Sequence, residues 1–271
     1  MEQFDYVFVV LVYRNPQDLT GFLSSLQKVE GSYRVIVVNS FYDELTRSQT
    51  ESICKVQHCD FLNVQNNGYG AGNNAGIHFA RAHYRFSFLV VSNPDIEILS
   101  LPAAVLRHKE ETVLLGPRVC TENGKHQNPY MPAHSVLRER LMRFYAMHPR
   151  SMLPFYMAVA LNKTHRILFN TLCERRERRV YALHGSFLLF SQAALDKLGD
   201  PFDERMFLFR EEDHLARRAK GMGIPMRYTP SIQVLHHEDG SVRFLSAQTK
   251  QFALHSLRIY FGLQSERRSS V

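Results

Sequence analysis

Three short polar motifs carry side chains that could do chemistry. Asn93-Pro94-Asp95 places a carboxylate on a loop stiffened by proline, and carboxylates commonly bridge Mg²⁺ or Mn²⁺ to phosphates. Glu211-Glu212-Asp213 opens a helix-like segment, where one carboxylate could take a proton from an attacking hydroxyl. His236-His237 ends an apolar run, and adjacent strand residues face opposite sides, so only one imidazole could join Asp95 as a metal ligand.

Each motif also has a purely structural interpretation. Asp95 could cap a following helix or turn, and the three acids could simply be stabilised by the dipole of the helix they open. A single histidine is more often a satisfied surface or core group than a ligand. Taken one at a time, the motifs leave both interpretations open.

A fourth stretch, residues 66–77, reads NNGYGAGNNAGI and contains a match to G-x-G-x-x-[GA] at residues 70–75. This pattern is the fingerprint of a dinucleotide-binding turn, and Asp95 lies near where the ribose-binding acid would belong. An NAD(P)-dependent oxidoreductase is therefore one interpretation. It places the fingerprint after the third strand rather than the first, and it leaves the acidic motif and the histidines without roles.

The elements that must position these motifs alternate between strands and helices. Predicted strands cover Tyr6 to Tyr13, Val35 to Val38, Phe61 to Val64 and Phe86 to Val91. Asn15-Pro16 begins one intervening helix and Asp43 begins another. This alternation is typical of a parallel sheet with right-handed crossovers, which binds ligands beyond the carboxyl ends of its strands.

The alternation changes after a predicted fifth strand, Val113 to Leu115. Residues 125–180 are basic and aromatic, and regular structure returns with a strand from Gly185 to Phe190 and a helix from Gln192 to Leu198. A strand-like segment reaches Leu235, and the last predicted helix runs from Val242 to Phe261. The basic segment could bind nucleic acid, although it lacks a recognisable module for this; a membrane interface and a solvated loop are the other interpretations.

Composition restricts the class of protein. The chain has 271 residues, 45% of them hydrophobic and 22% charged, with a formal net charge of +7, which suits a folded α/β protein with anionic partners. There is no signal-peptide pattern, and no apolar run approaches the ~18 residues of a spanning helix. The four cysteines form no C-x-x-C pair, so free thiols in a reducing cytoplasm are expected.

Taken in order, these pieces resemble the family 2 glycosyltransferases with a GT-A fold, in particular their bacterial rhamnosyltransferase-like branch. The resemblance covers residues 6–242. Its segments are VLVYRNPQDL, VIVVNS, NNGYGAGNNAGI, VVSNPDIEI, LHGSFLLFSQAALDKLGDPFDERMFLF and EEDHLARRAKGMGIPMRYTPSIQVLHHEDGSV. The NPD triplet resembles the family's variant of the metal-binding DXD motif.

The resemblance implies an α/β GT-A fold: a Rossmann-like mixed, mainly parallel central sheet flanked by helices, with a basic helical insertion and a C-terminal helix. It divides the chain into a nucleotide-sugar half (1–124), the insertion (125–180), an acceptor-binding and catalytic half (181–240) and the terminal helix (241–271).

The resemblance also assigns roles to residues. Those expected at the nucleotide are Tyr13, Asn39, Asn66, Gly68, Gly72 and Asn74. Asn93 and Asp95 would hold the sugar diphosphate and a Mg²⁺ or Mn²⁺ ion, with His236 completing the site. Glu212 would be the base, with Asp213 as the alternative. Asn39 and Glu212 both stand where the family usually has aspartate.

The implied activity is an inverting, metal-dependent transfer of a sugar from a dTDP- or UDP-linked donor. The acceptor would be a hydroxyl of a growing cell-surface glycan on a lipid carrier, such as capsule, O-antigen or cell-wall polysaccharide. Residues 138–180 and the C-terminal helix would then face the membrane. The protein is expected in the cytoplasm, at the inner face of the membrane, without a nucleic-acid partner.

Overall fold

The computed structural model describes residues 1–173, 175–237 and 247–263, with helices packed on both faces of one sheet. The strands are β1 (Glu2–Val12), β2 (Tyr33–Ser40), β3 (Asp60–Val64), β4 (Tyr84–Ser92), β5 (Ile96–Ser100), β6 (Leu114–Thr121), β7 (Arg178–Val180), β8 (Phe187–Ser191) and β9 (Met226–His236). The helices are α1 (Pro16–Ser25), α2 (Glu44–Val56), α3 (Tyr69–His83), α4 (Val136–Met147), α5 (Leu153–Cys173), α6 (Gln192–Leu198), α7 (Glu211–Gly221) and α8 (Ala247–Tyr260).

The sheet has the strand order β3-β2-β1-β4-β8-β6-β9-β5, and β7 pairs with β9. β1 is parallel to both β2 and β4, and β2 is parallel to β3. β8 enters antiparallel between β4 and β6 and joins the two halves. This confirms the predicted mixed α/β architecture.

The apolar run of β1 is explained by burial on both faces of the sheet. Its alternate side chains enter two separate cores, Val7, Val9 and Leu11 on one face and Tyr6, Phe8 and Val10 on the other. A strand covered on both faces needs apolar residues at every position, which the sequence supplies.

The predicted helix starts are observed, although the first is built differently. α1 begins at Pro16, but the Asn15 amide donates to the Asp18 carboxylate at 2.8 Å instead of capping the backbone. α2 follows Asp43, whose Oδ1 accepts from the backbone N–H of Thr46 at 2.8 Å.

Two strands differ from expectation. β5 starts directly after Asp95 and pairs antiparallel with β9, although the sequence pattern does not predict it. β6 continues to Thr121, well beyond the predicted end at Leu115. Its register against β9 shifts between Gly116 and Arg118. Proline, which lacks an N–H, is tolerated at such irregularities, and Pro117 lies there.

The basic segment contains α4 and α5, and these pack with α8 around a small core of Met142, Ala146, Ala158 and Leu257. Residues 242–246 of the predicted terminal helix lie outside the described residues. The described α8 buries Leu257, Ile259 and Tyr260 and presents no large exposed apolar side chain. The membrane-facing role expected for the C-terminal helix stays a prediction.

Within the described ranges, none of the helices has both the length and the apolar content required to cross a bilayer.

Candidate active site

Polar residues gather where β1 to β4 end, along one edge of the sheet. Asn39 and Asn63 are neighbours across β2 and β3. Tyr13, Asn66 and Asn93 follow the ends of β1, β3 and β4. Parallel strands bind ligands beyond their carboxyl ends, so these predicted donor-site residues lie on the edge where a ligand is expected.

Two tyrosines and an arginine form a platform at the end of β1. The rings of Tyr13 and Tyr42 meet edge to face with centroids 5.7 Å apart. The Arg14 guanidinium carbon lies 5.0 Å from the Tyr13 centroid and 4.6 Å from that of Tyr42. Partly exposed aromatic faces next to a guanidinium suit a nucleobase and its phosphates.

Asn39 is fully buried behind this platform. Its Nδ2 donates to Asn63 Oδ1 at 2.7 Å, whereas its own Oδ1 has no hydrogen-bond partner among the described residues. A buried acceptor without a donor is costly, so this oxygen marks a place that fits a ligand N–H. Asn66 shapes the neighbouring turn, where its Oδ1 accepts from the Gly68 N–H at 3.4 Å.

The glycine-rich segment is a helix rather than a loop. Gly68 immediately precedes α3, and the segment forms the first turns of that helix. A Cβ at Gly72 would lie 2.5 Å from the Leu11 side chain, and one at Gly70 would lie 3.0 Å from Phe202. These glycines let α3 pack closely on its neighbours, and the nucleotide contact expected for Gly72 stays a prediction.

Asn74, also expected at the nucleotide, is buried and bonded within the protein. Its Nδ2 donates to the Phe202 carbonyl at 3.0 Å and to Glu204 Oε1 at 3.1 Å, and its Oδ1 accepts from the Phe202 N–H at 3.4 Å. The side chain fastens residues 202–204 to α3. Because both ends of its amide are engaged, Asn74 is better explained as a structural residue than as a nucleotide ligand.

Gly68 has a structural requirement that can be measured. Its φ is 105°, and a Cβ there would lie 2.4 Å from the Phe207 carbonyl oxygen. We expect Gly68→Ala to lower the free energy of unfolding by about 2–3 kcal/mol, because both the backbone angle and the close approach are violated. Gly124→Ala is the control, since Gly124 has φ 70° but open space, and should cost about 1 kcal/mol. Equal losses in urea denaturation would contradict the packing argument.

Asp95 and His236 meet at the junction of the two halves of the sheet. Asp95 lies between β4 and β5, and His236 ends β9, with its Nε2 3.2 Å from Asp95 Oδ2. His237 faces away, with Nε2 3.1 Å from Glu97 and Nδ1 2.9 Å from Glu122. One histidine of the pair therefore lies at Asp95, as strand alternation requires.

The Asp95–His236 pair fits a cation. Nδ1 of His236 is 2.6 Å from Gln127 Oε1, and Nε2 is the ring nitrogen that faces the Asp95 carboxylate. Asp95 Oδ1 is buried without a hydrogen-bond partner among the described residues. A carboxylate oxygen and an imidazole nitrogen are ligand types that suit Mn²⁺ or Mg²⁺. Within the described ranges, no three Asp, Glu, His or Cys side chains surround a metal position.

His184 lies next to this pair, and the sequence motifs do not single it out. Its ring centroid is 5.9 Å from that of His236, and its Nδ1 accepts from the Ser186 N–H at 3.3 Å. Burial and then the neighbouring His236 lower the pKa of His184 to about 3, so the ring is neutral with its proton on Nε2. It can therefore donate one hydrogen bond at the site. A single histidine before a strand carries no such signal in the sequence.

Glu212 reaches the same region from the first turn of α7. Its Oε1 accepts from the Gly185 N–H at 3.3 Å, and the Gly185 carbonyl accepts from the Tyr69 hydroxyl at 3.0 Å. The adjacent Ser186 carbonyl accepts from the Asn93 N–H at 2.9 Å. Gly185-Ser186 thus links the acid of α7 to the loop that carries Asp95.

The acids that open α7 differ in proton affinity. Burial, with repulsion from Asp213, raises the pKa of Glu212. Burial, with repulsion from Glu212, raises the pKa of Glu211 to about 8. A carboxylate with a raised pKa is a better general base, and such shifts are common at functional sites.

Asp213 is held instead as a structural anion. Arg138 of α4 donates to its Oδ1 at 2.8 Å, and Arg210 donates to its Oδ2 at 3.1 Å. Burial opposes ionisation, but the two guanidinium groups outweigh it and hold the pKa of Asp213 below its usual range. A fully paired, weakly basic carboxylate is a poor proton acceptor, which argues against the alternative that Asp213 is the base.

No protein-family model matches the chain. The low-salt glycan biosynthesis hexosyltransferase Agl10 of Haloferax volcanii is 21% identical over 238 residues, which cover 86% of this chain and 67% of the relative. GalNAc-T7, solved with UDP, GalNAc and Mn²⁺, aligns with a TM-score of 0.58 at 12% identity over 86% of this chain. S. aureus TarS 1–349 in complex with UDP aligns with a TM-score of 0.55 at 16% identity over 87% of this chain. The fold is that of the GT-A glycosyltransferases.

The chain spans 44% of the GalNAc-T7 chain and 60% of the TarS fragment, so the GT-A fold is the shared feature. Sequence and fold similarity together support the glycosyltransferase class. The oxidoreductase interpretation gains no support, since none of these similar proteins is an oxidoreductase. The G-x-G-x-x-A match also lies inside α3, after the edge strand β3, where its glycines serve packing.

Proposed function

We propose that the chain is an inverting glycosyltransferase that moves a sugar from a UDP- or dTDP-linked donor to a hydroxyl of a growing glycan. The observation that carries the proposal is the hydrogen-bonded link from Glu212 through Gly185-Ser186 to Asn93, on the loop that carries Asp95. A base and a cation site beside the leaving group are the two parts that displacement at an anomeric carbon requires. The similarity to a glycan-biosynthesis hexosyltransferase supports the class.

In the proposed reaction, Glu212 takes the proton of the acceptor hydroxyl. The hydroxyl oxygen forms a bond to C1 of the donor sugar as the bond from C1 to the diphosphate breaks. The nucleoside diphosphate leaves with the electron pair, and attack from the opposite face inverts C1. Gly185 accommodates the long Glu212 side chain, because a Cβ at residue 185 would lie 3.0 Å from Glu212 Oε1.

The donor would lie along the edge of β1 to β4, within the proposed nucleotide-sugar half (1–124). The Tyr13–Tyr42 platform would stack on the base, and the buried Asn39 Oδ1 would accept its N3–H. Uracil and thymine carry an N3–H, whereas cytosine has an acceptor there, which favours UDP- or dTDP-sugars. The sugar would be a hexose or a rhamnose-type deoxyhexose.

Asp95 and His236 are the residues that would hold a divalent cation, with Asn93 beside them at the sugar diphosphate. When bound, Mg²⁺ or Mn²⁺ would offset the charge of the leaving diphosphate. The neutral His184 would add one N–H donor. The acceptor, proposed to be a lipid-linked cell-surface glycan, would approach Glu212 from the half formed by residues 181–240.

Thermal-shift titration with a nucleotide panel, with and without Mn²⁺, tests the donor site. We expect UDP or dTDP to raise the melting temperature only when the metal is present, and Asp95→Asn to abolish that shift because it removes a charged ligand. Glu97→Gln is the matched control, since Glu97 lies on β5 but contacts the outward-facing His237. Retained metal-dependent stabilisation in Asp95→Asn would contradict the proposal, as would stabilisation by NAD⁺ without metal.

A further inference from the structure

Helix α5 exposes an apolar stripe along its whole length. Leu153 is 67% exposed, Ile167 57% and Leu168 58%, although these side chains prefer burial. At 100° per residue, the apolar positions 153, 157, 160, 167 and 168 lie on one side of the helix, together with Thr164 and Thr171. Lys163 borders this stripe and is the nearest ionic group within α5. The stripe is about 30 Å long, since the helix has 21 residues.

The opposite face of α5 is fixed to the protein. Ala158 is buried against α4 and α8, Asn162 donates to the Tyr130 carbonyl at 3.0 Å, and Phe169 packs edge to face on Tyr228. The helix therefore has a defined orientation, and the apolar stripe is presented outward by that packing.

Helix α4 extends the same surface and gives it a positive charge. Its exposed side chains include Phe144 and Met147 together with Arg140 and Arg143. The sole acidic residue of the sequence between positions 136 and 173 is Glu139. Glu139 is already engaged, accepting from Arg217 at 3.1 Å and from the Tyr260 hydroxyl at 2.9 Å.

We propose that this α4–α5 face, formed by the exposed side chains of residues 136–172, docks on the surface of an anionic phospholipid bilayer. Apolar side chains among arginines and lysines, without acids, match an interface that is apolar inside and negative at the headgroups. A second copy of the chain is a poorer occupant, because two such faces would bring Arg140, Arg143 and Lys163 against like charges. The inference does not depend on the proposed sugar transfer.

The docking surface is connected directly to the helix that carries Glu212. Arg138, on the inner face of α4, pairs with Asp213 in the first turn of α7. Tyr130, whose carbonyl accepts a hydrogen bond from Asn162 of α5, also donates a hydrogen bond from its hydroxyl to Asp213 at 3.3 Å. A bilayer beneath α4 and α5 would therefore hold the catalytic helix at a fixed height above the headgroups, within reach of a lipid-linked acceptor.

Vesicle sedimentation of the full chain tests the proposal. We expect binding to vesicles of phosphatidylcholine with phosphatidylglycerol that weakens as salt is raised, and little binding to phosphatidylcholine alone. The variant L153Q/I167Q/L168Q should bind at least about tenfold more weakly, because three inserted apolar side chains are lost. The matched control L45Q/V56Q changes side chains that are 68% and 73% exposed on α2 and should bind like the wild type.

The double variant R140Q/R143Q tests the electrostatic contribution to vesicle binding. It should weaken binding to anionic vesicles while leaving the melting temperature of the protein unchanged. Three results would overturn the proposal. They are failure of the wild type to bind anionic vesicles, equal loss in the α2 control, and a dimer in solution that L153Q/I167Q/L168Q converts to a monomer. The last would mean that a second copy covers this face.

Discussion

Glu212→Gln should lower the rate of sugar transfer by about 10²–10⁴-fold while leaving metal-dependent nucleotide binding intact. Glutamine has nearly the same shape and can still accept from the Gly185 N–H, so the loss reports the missing proton acceptor. Initial rates with the donor found by titration, together with thermal shift by its nucleotide, measure the two properties separately. Glu211→Gln is the control, because it neutralises the neighbouring acid and leaves Glu212 in place.

The pH profile gives this prediction a second readout. The base must be deprotonated, so the rate should fall as pH falls through the raised pKa of Glu212, at a higher pH than an ordinary glutamate would show. Glu211 and Glu212 repel each other when ionised, so the two titrate as a pair. Burial and Asp213 raise the pKa of Glu212, so Glu211→Gln should leave the acid limb in place. Full activity in Glu212→Gln, or an acid limb in the ordinary glutamate range, would exclude Glu212 as the base.

The predictable parts of the fold are those that local pattern determines. β1 is uniformly apolar because both faces are buried, and Asp43 marks the start of α2 because it caps that helix. Such signals lie within a few residues of the element they define. The sequence pattern does not predict β5, because β5 forms by pairing with the distant β9. It also does not predict the second part of β6, because Pro117 interrupts the strand pattern there.

In the candidate site, too, local pattern predicts some features, whereas others depend on distant parts of the chain. Strand alternation predicts that at most one histidine of the 236–237 pair shares a site with Asp95, as observed for His236, because the period of a strand is a local property. Gly72 and Asn74 were assigned to a ligand by their place in a motif, yet the structure gives them Leu11 and residues 202–204 as neighbours. A sequence motif records that a residue type is required, and it does not distinguish a ligand from a packed segment of the same chain.

Asp213 shows why neighbouring acids could not be separated by sequence. Its low pKa depends on Arg210, three positions earlier, and on Arg138, which is 75 positions away in the chain and belongs to the basic insertion. Glu212, one position earlier, points to Gly185 and has a raised pKa. Helical geometry separates adjacent side chains by about 100°, but only the tertiary fold decides which of them meets a cation.

Arg138→Met should lower the free energy of unfolding by about 3 kcal/mol at neutral pH. This is the low end of the ~3–5 kcal/mol expected when one partner of a buried ion pair is removed, because Arg210 still donates to the other oxygen of Asp213. Arg140→Met is the matched control, since Arg140 lies on the same helix with its side chain exposed, and it should change stability little. Urea denaturation measures both variants.

The stability difference between wild type and Arg138→Met should also depend on pH in a defined direction. The pKa of Asp213 is lowered in the folded protein, so its ionisation stabilises the fold above the usual aspartate range, and that contribution is lost as pH falls through the lowered pKa. In the variant, burial is opposed by Arg210 without Arg138, so Asp213 takes up its proton at a higher pH and the less compensated buried charge disappears. The difference should therefore shrink in acid. A difference that persists unchanged at low pH would mean that Arg138 acts through packing of its aliphatic stem. It would then not act as the counter-ion of Asp213 that joins the α4–α5 face to α7.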